Sequence, residues 1–271
     1  MDIELHFNKT VDKNASLYYE KAKKARNKLD GINKAIAMAE KKLDAELQKQ
    51  ASLLEKEEIK TKPARKKEWY EKFHWFFTSK GKLVIGGRDA TTNETIIKKH
   101  ADKGDLVFHT DMAGSPFMVI KSDNKKIDDI EKQETADFLG CFSKAWKAGI
   151  SSIEVFYVEP HQVTKEAQSG EYLSKGSFMI KGKTKYLSAI LKLGVSVIDG
   201  VVYSGPHSAL HSLIKDKFPD IEKRDIERFI LTIVQGSEKT SKVAKEIKKK
   251  IGGDLDDLIR ALPAGGCRIS K

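Results

Sequence analysis

The sequence predicts an α+β protein with a long helical arm at its N-terminus. Three observations carry that reading. Strand-like runs follow one another with few helices between them, which points to a largely antiparallel or mixed sheet. A 3.5-residue apolar repeat runs from Ala15 to Leu43. A two-residue Asp199-Gly200 turn sits between Val195–Ile198 and Val201–Tyr203, the pattern of a tight hairpin.

The arm comes first. Ala15, Tyr18, Ala22, Ala25, Leu29, Ile32, Ile36, Ala39 and Leu43 alternate steps of three and four, as a coiled-coil seam does. The phase slips after Leu43 and continues through Leu47, Ala51 and Leu54. Asn14 is placed to cap the start. Nothing else in the chain repeats in heptads, so the seam needs a partner helix, either a second copy in a homodimer or the missing arm of a longer protein. Pro63 is expected to end the helix, with Lys62, Arg65, Lys66 and Lys67 forming a basic hinge.

Strands are expected at Lys82–Ile85, Leu106–Thr110, Phe117–Lys121, Ile153–Val158 and Ser177–Ile180, with helices near Thr92–Ala101 and Ile130–Ala148. The last part reads as helices at Ser208–Lys217, Arg224–Val234, Thr240–Ile251 and Leu255–Ala261, separated by Pro219, Gly236 and Gly252-Gly253. This divides the chain into an arm (1–67), a central α+β domain (68–206) and a small helical C-terminal extension (207–271).

The 271 residues carry a net charge of +11, which favours partners with negative fields, nucleic acid or an anionic membrane. The excess sits at the two ends and leaves the central domain nearly neutral, so a basic face there must be a local patch. Lys242, Lys245, Lys248, Lys249 and Lys250 load one C-terminal helix, either as a solvated face or as phosphate contacts. Cys141 and Cys267 lack metal-ligand spacing and imply no disulfide framework, consistent with a cytoplasmic protein. No apolar run reaches membrane-spanning length and no signal peptide is seen, so no membrane partner is expected.

Candidate binding residues cluster in a few stretches. Trp69, Tyr70, Phe73, Trp75, Phe76 and Phe77 lie among lysines; they either fill a core or offer one or two stacking platforms for bases. Gly86-Gly87-Arg88-Asp89 follows an apolar strand and precedes a helix. The glycines permit close backbone approach, Arg88 offers a charged fork, and the helix start offers N–H groups to an anion. An Arg88–Asp89 ion pair shaping the turn is the competing view. Asn93, Lys98 and Lys99 extend this candidate along the helix. Lys165, Lys175, Lys181 and Lys183 load a long loop between two strands. His109 and Asp111 are spaced to share a strand face; they suit a hydrogen-bonded pair better than a hydrolase, because no nucleophile or third ligand accompanies them. No cofactor or metal is expected, and no enzymatic role.

As an ordered set, WYEKFHWFFTS at 69–79, LVIGGRDATTNETIIKK at 83–99, VFHTDMAGSPFMVIK at 107–121, SKAWKAG at 143–149 and QVTKEAQSGEYLSKGSFMIKGK at 162–183 resemble the RNA-binding domain of the NFACT family. NASLYYEKAKKARNK at 14–28 looks like the returning arm of that family's coiled-coil hairpin, and the tail from His207 is similar to an extension of archaeal members. The resemblance implies a factor of ribosome-associated quality control that binds transfer RNA and obstructed large ribosomal subunits. It also implies that Met1 falls inside the family's coiled-coil region. On this reading the RNA-binding residues are Gly86, Gly87, Arg88, Asp89, Asn93, Lys98, Lys99, His109, Lys165, Lys175, Lys181 and Lys183. A general DNA- or polyanion-binding protein is the alternative, with a His/Asp-dependent hydrolase behind it.

Overall fold

The structure, a computed structural model, describes residues 4–61, 66–166 and 173–270. It divides into two compact units, Met1–Lys66 and Lys67–Lys271. The expected hinge residues Lys62, Pro63 and Arg65 lie outside the described residues, as does the middle of the 165–183 loop.

The first unit is built on α1 (Val11–Thr61), a 51-residue helix, roughly 75 Å long at ~1.5 Å per residue. Its seam residues Tyr18, Leu29, Ile32, Ile36 and Leu43 are exposed. The helix begins three residues before Asn14, which is therefore no N-cap. Its side chain instead accepts from His6 N at 3.0 Å and donates to the carbonyls of His6, Lys9 and Thr10. A short polar side chain can tie down the preceding turn as readily as it caps a helix.

The second unit opens on a 3-10 turn (Trp69–Lys72) and then β1 (His74–Phe77), β2 (Leu83–Gly86), α2 (Ala90–His100), β3 (Leu106–His109) and β4 (Met118–Ile120). α3 (Asp129–Phe142) and α4 (Lys144–Ala148) follow where one helix is expected. The break is Ser143, whose hydroxyl donates to Gly140 O and accepts from Ala145 N, restarting the helix on a new axis. Next come β5 (Ser152–Val158), β6 (Val163–Thr164), β7 (Met179–Ile180) and β8 (Lys185–Ile190). β9 (Leu193–Ile198) and β10 (Val201–Gly205) form the expected hairpin, with Asp199 and Gly200 both at positive φ.

The C-terminal region holds α5 (His207–Lys217), α6 (Lys223–Ile226), β11 (Leu231–Glu238), α7 (Thr240–Ile251), α8 (Leu255–Ala261) and β12 (Cys267–Ile269). The helix expected over Arg224–Val234 is therefore corrected. Its second half, rich in β-branched residues, is a strand paired with β9, through Leu231 opposite Val195 and Ile233 opposite Leu193. Lysines of α7 do form a solvated face, while Val243, Ala244 and Ile247 are buried on the other side.

Two antiparallel sheets organise this unit. One runs β1-β2-β4-β3-β5-β8 and the other β10-β9-β11-β12, so the second joins strands from both sides of residue 206. The six-stranded sheet buries both faces by strict alternation. Val84, Phe108, Met118 and Val155 enter the main core with Phe138 and Trp146, and Ile85, Val107, Val119 and Phe156 pack with Phe73 and Ile96 of the α2 side. Of the six clustered aromatics, Phe73 and Phe76 are buried and Tyr70, Trp75 and Phe77 half-buried; Trp69 is 48% exposed and stacks on His100 at 4.7 Å.

Candidate nucleic-acid interface

The turn leaving β2 is held by its own backbone. Gly87 N donates to Phe117 O at 3.0 Å, and Phe117 N donates to Asn93 Oδ1 at 3.1 Å. A Cβ on Gly87 would meet Asn93 Oδ1 at 1.9 Å. The absent side chain thus lets Asn93 approach the strand, and Asn93 serves as a clamp.

Asp89 and Arg88 do not form the ion pair considered above. Asp89 caps α2 by accepting from Thr92 N at 2.8 Å, while Thr92 Oγ1 accepts from Asp89 N at 2.9 Å. Those bonds hold the Asp89 carboxyl below its usual range. The cap also occupies part of the helix start that the sequence offered to an anion. Arg88 donates to Arg260 O at 3.0 Å and to Phe73 O at 2.9 Å. Burial, with Arg260 beside it, lowers its guanidinium to about 10, so it keeps its charge at neutral pH. Its Nε is buried with no hydrogen-bond partner among the described residues.

Beside this turn lies a cleft of about 940 Å³. Gly87, Arg88, Asp89, Ala90 and Asn93 form one wall; Ser143, Lys144 and Lys147 of the α3–α4 corner form a second. The C-terminal region supplies a third through Thr240, Arg260, Leu262 and Pro263. Trp146 fixes this corner, since its buried indole donates to Gly266 O at 3.1 Å. Lys144 lies across Gly114, where a Cβ would meet its Cε at 2.7 Å.

The lining also includes His74, Phe142, His109, Phe117 and Phe178. His109 stacks on Phe117 at 4.0 Å and donates from Nδ1 to Pro116 O at 3.0 Å. His74 packs on Phe142 at 4.0 Å. Burial lowers the basicity of both imidazoles, that of His74 strongly with help from Arg88, so both are neutral at pH 7. Among the described residues, charge in the cleft therefore comes from Arg88, Lys144, Lys147, Lys175 and Arg260, against the single carboxylate of Asp89.

The expected site residues divide in two. Gly87, Arg88, Asp89, Asn93, His109 and Lys175 line the cleft; Gly86, Lys98, Lys99, Lys165, Lys181 and Lys183 do not. Lys98 pairs with Glu94 at 2.6 Å, and Lys181 pairs with Glu166 at 2.6 Å. Lys165 lies 3.8 Å from Glu94 and 4.8 Å over the Phe178 ring. Lys99 and Lys183 are exposed. Sequence reasoning missed Lys144, Lys147, Arg260, His74 and Phe142. The spacing of Lys144 and Lys147 around the apolar Trp146 was a usable signal; Arg260 comes into range only through the tertiary fold. Among the described residues no group of three or more His, Cys, Asp or Glu side chains is arranged to hold a metal, and no helix is long and apolar enough to cross a membrane.

Fold and cleft together define an α+β protein with a concave cationic surface built on its larger sheet. Residues 72–182 match the family model of the NFACT protein RNA binding domain, which identifies that segment as resembling the NFACT family. It is 43% identical over 218 residues to the archaeal Rqc2 homolog aRqcH of Methanocaldococcus jannaschii, a match covering 79% of this chain and 31% of that protein. It is 37% identical over 191 residues to the human ribosome quality control complex subunit NEMF, covering 68% of this chain and 17% of NEMF. The chain thus spans about a third of the first relative and about a sixth of the second. A solved structure, the C-terminal part of the fibronectin/fibrinogen-binding protein from Streptococcus suis, overlaps 47% of this chain and 47% of that one, with a TM-score of 0.37 and 23% identity.

Proposed function

We propose that this chain is an RNA-binding module of a ribosome-associated quality-control factor, contacting transfer RNA and obstructed large ribosomal subunits. The observation that carries this reading is the cleft, which among the described residues is lined by five cationic side chains and one carboxylate that is already engaged as a helix cap. Phosphates attract such a surface at long range and then release counterions on contact. The named relatives supply the ribosomal setting. The exposed seam of α1 supports a second element of the proposal, that the arm pairs with another helix, from a second copy or a neighbour. The role is one of binding, with no chemical step assigned to His109 or Asp111.

The experiment is crosslinking of the protein to ribosomes and transfer RNA, with contacted nucleotides mapped and duplex DNA added as competitor at fixed salt. Crosslinks on transfer RNA and large-subunit RNA that survive excess duplex DNA are expected. Equal displacement by DNA would favour a general polyanion binder, and the absence of RNA crosslinks would remove the proposal.

A further inference from the structure

The cleft contains more than positive charge. A surface that tracked only a phosphate backbone would need lysines and arginines along an open groove. This one is concave and lined by half-buried rings as well as by exposed lysines. Its ~940 Å³ lies within the ~300–1,000 Å³ typical of pockets that enclose small ligands. Lys144 and Lys147 are exposed on one side and Lys175 on the other. The same cleft is lined by two ring pairs, His109 stacked on Phe117 and His74 tilted against Phe142.

We infer that the cleft is a pocket for one unpaired nucleotide of single-stranded RNA, its base held against the His109 and Phe142 rings and the phosphates that flank it by Lys144, Lys147 and Lys175. This rests on the RNA-binding reading above and names the part of the RNA that enters. A base inside a duplex has its faces covered by its neighbours and cannot present one to these rings; an unpaired base can. The imidazoles suit the task because burial keeps them neutral, so they offer ring surface and lone pairs in place of charge. The buried, unpartnered Nε–H of Arg88 is a further donor beside the same space.

The test uses the full chain and two RNA hairpins with identical stems, one blunt and one ending in a short unpaired extension that carries 2-aminopurine. The extended hairpin is expected to bind roughly tenfold more tightly at fixed salt, as stacking one base on an aromatic ring provides, and its fluorescence is expected to be quenched on binding. His109→Gln keeps a donor for Pro116 O and removes the ring, and should reduce the preference to near unity; Phe142→Leu makes the same test if the first variant does not fold. A preference that survives in either folded variant overturns the pocket. Equal binding of both hairpins without quenching overturns it while leaving the RNA-binding reading intact. Binding of neither hairpin overturns both.

Discussion

Two basic regions of the globular unit differ in what their cations already touch. On the exposed face of α2 and the adjoining β6–β7 segment, lysines and carboxylates alternate: Lys98 with Glu94, Lys165 near Glu94, and Lys181 with Glu166. In the cleft, five cations gather about Asp89, whose carboxylate is taken by Thr92. A cation count along the sequence treats the two regions alike. The difference shows that a cation's value to an anionic ligand depends on the local carboxylate balance, since a neutralised lysine adds little field.

The sharpest way to break this comparison is to remove charge from one region at a time. Lys144→Ala combined with Lys147→Ala should weaken RNA binding by about 1.5–3 kcal/mol for each charge-assisted hydrogen bond to phosphate that is removed, with thermal stability unchanged because both side chains are exposed. Filter binding together with a melting curve checks both halves. Unchanged affinity in a folded double variant would move the docking surface elsewhere.

Arg88 sits between the two regions in character, being cationic and at the cleft yet tied to the carbonyls of Phe73 and Arg260. Arg88→Ala should destabilise the globular unit by about 1–3 kcal/mol, because partly buried carbonyls lose their donors. Chemical denaturation would show this as a lower midpoint. A midpoint within error of the unsubstituted protein would mean that those hydrogen bonds are replaced by water, and that Arg88 is free to serve a ligand.

Acid should act on the cleft through its histidines. Desolvation holds the folded pKa of the half-buried His74 well below 6.5, and that of His109 is lowered too. Below about pH 6.5 the unfolded chain binds protons that the folded chain refuses, so stability is lost as pH falls. Above pH 7 these groups contribute no slope. Melting temperature should therefore drop between pH 7.5 and 5.5, and His74→Gln should flatten that drop. A melting temperature that rises on acidification would contradict the burial argument.

The smallest effect is expected from Lys98→Ala, which removes an exposed i,i+4 pair with Glu94 and should change stability by no more than about 0.5 kcal/mol. RNA affinity should change much less than in the cleft double variant. A loss as large as that of Lys144 and Lys147 would show that the α2 face belongs to the interface.

The parts legible in the sequence are those fixed by local periodicity. The arm shows in its 3.5-residue seam, the β9–β10 hairpin in Asp199-Gly200, and α2 in the apolar strand and glycines ahead of it. β11 was misread because Arg224–Val234 joins a charged stretch to a β-branched one, and only pairing with β9 decides for strand. The cleft was half legible for a similar reason. Its first wall is one continuous segment, Gly87 to Asn93, whereas its second and third walls come from the α3–α4 corner and from residues 240–264, which are distant in sequence and meet it through the tertiary fold. Glycines at 86–87 were legible as a close approach, yet the group approaching Gly87 is Asn93 of the same chain.

The most direct test of the cleft as the phosphate-binding surface is the salt dependence of RNA affinity for the unsubstituted chain and for the Lys144→Ala, Lys147→Ala double variant. The log of affinity should fall linearly with the log of salt concentration, by about 0.7 per phosphate contact on single-stranded RNA, and the double variant should be shallower by about 1.4. A line of unchanged slope in the variant, or an affinity that is flat with salt in the unsubstituted chain, would contradict the account.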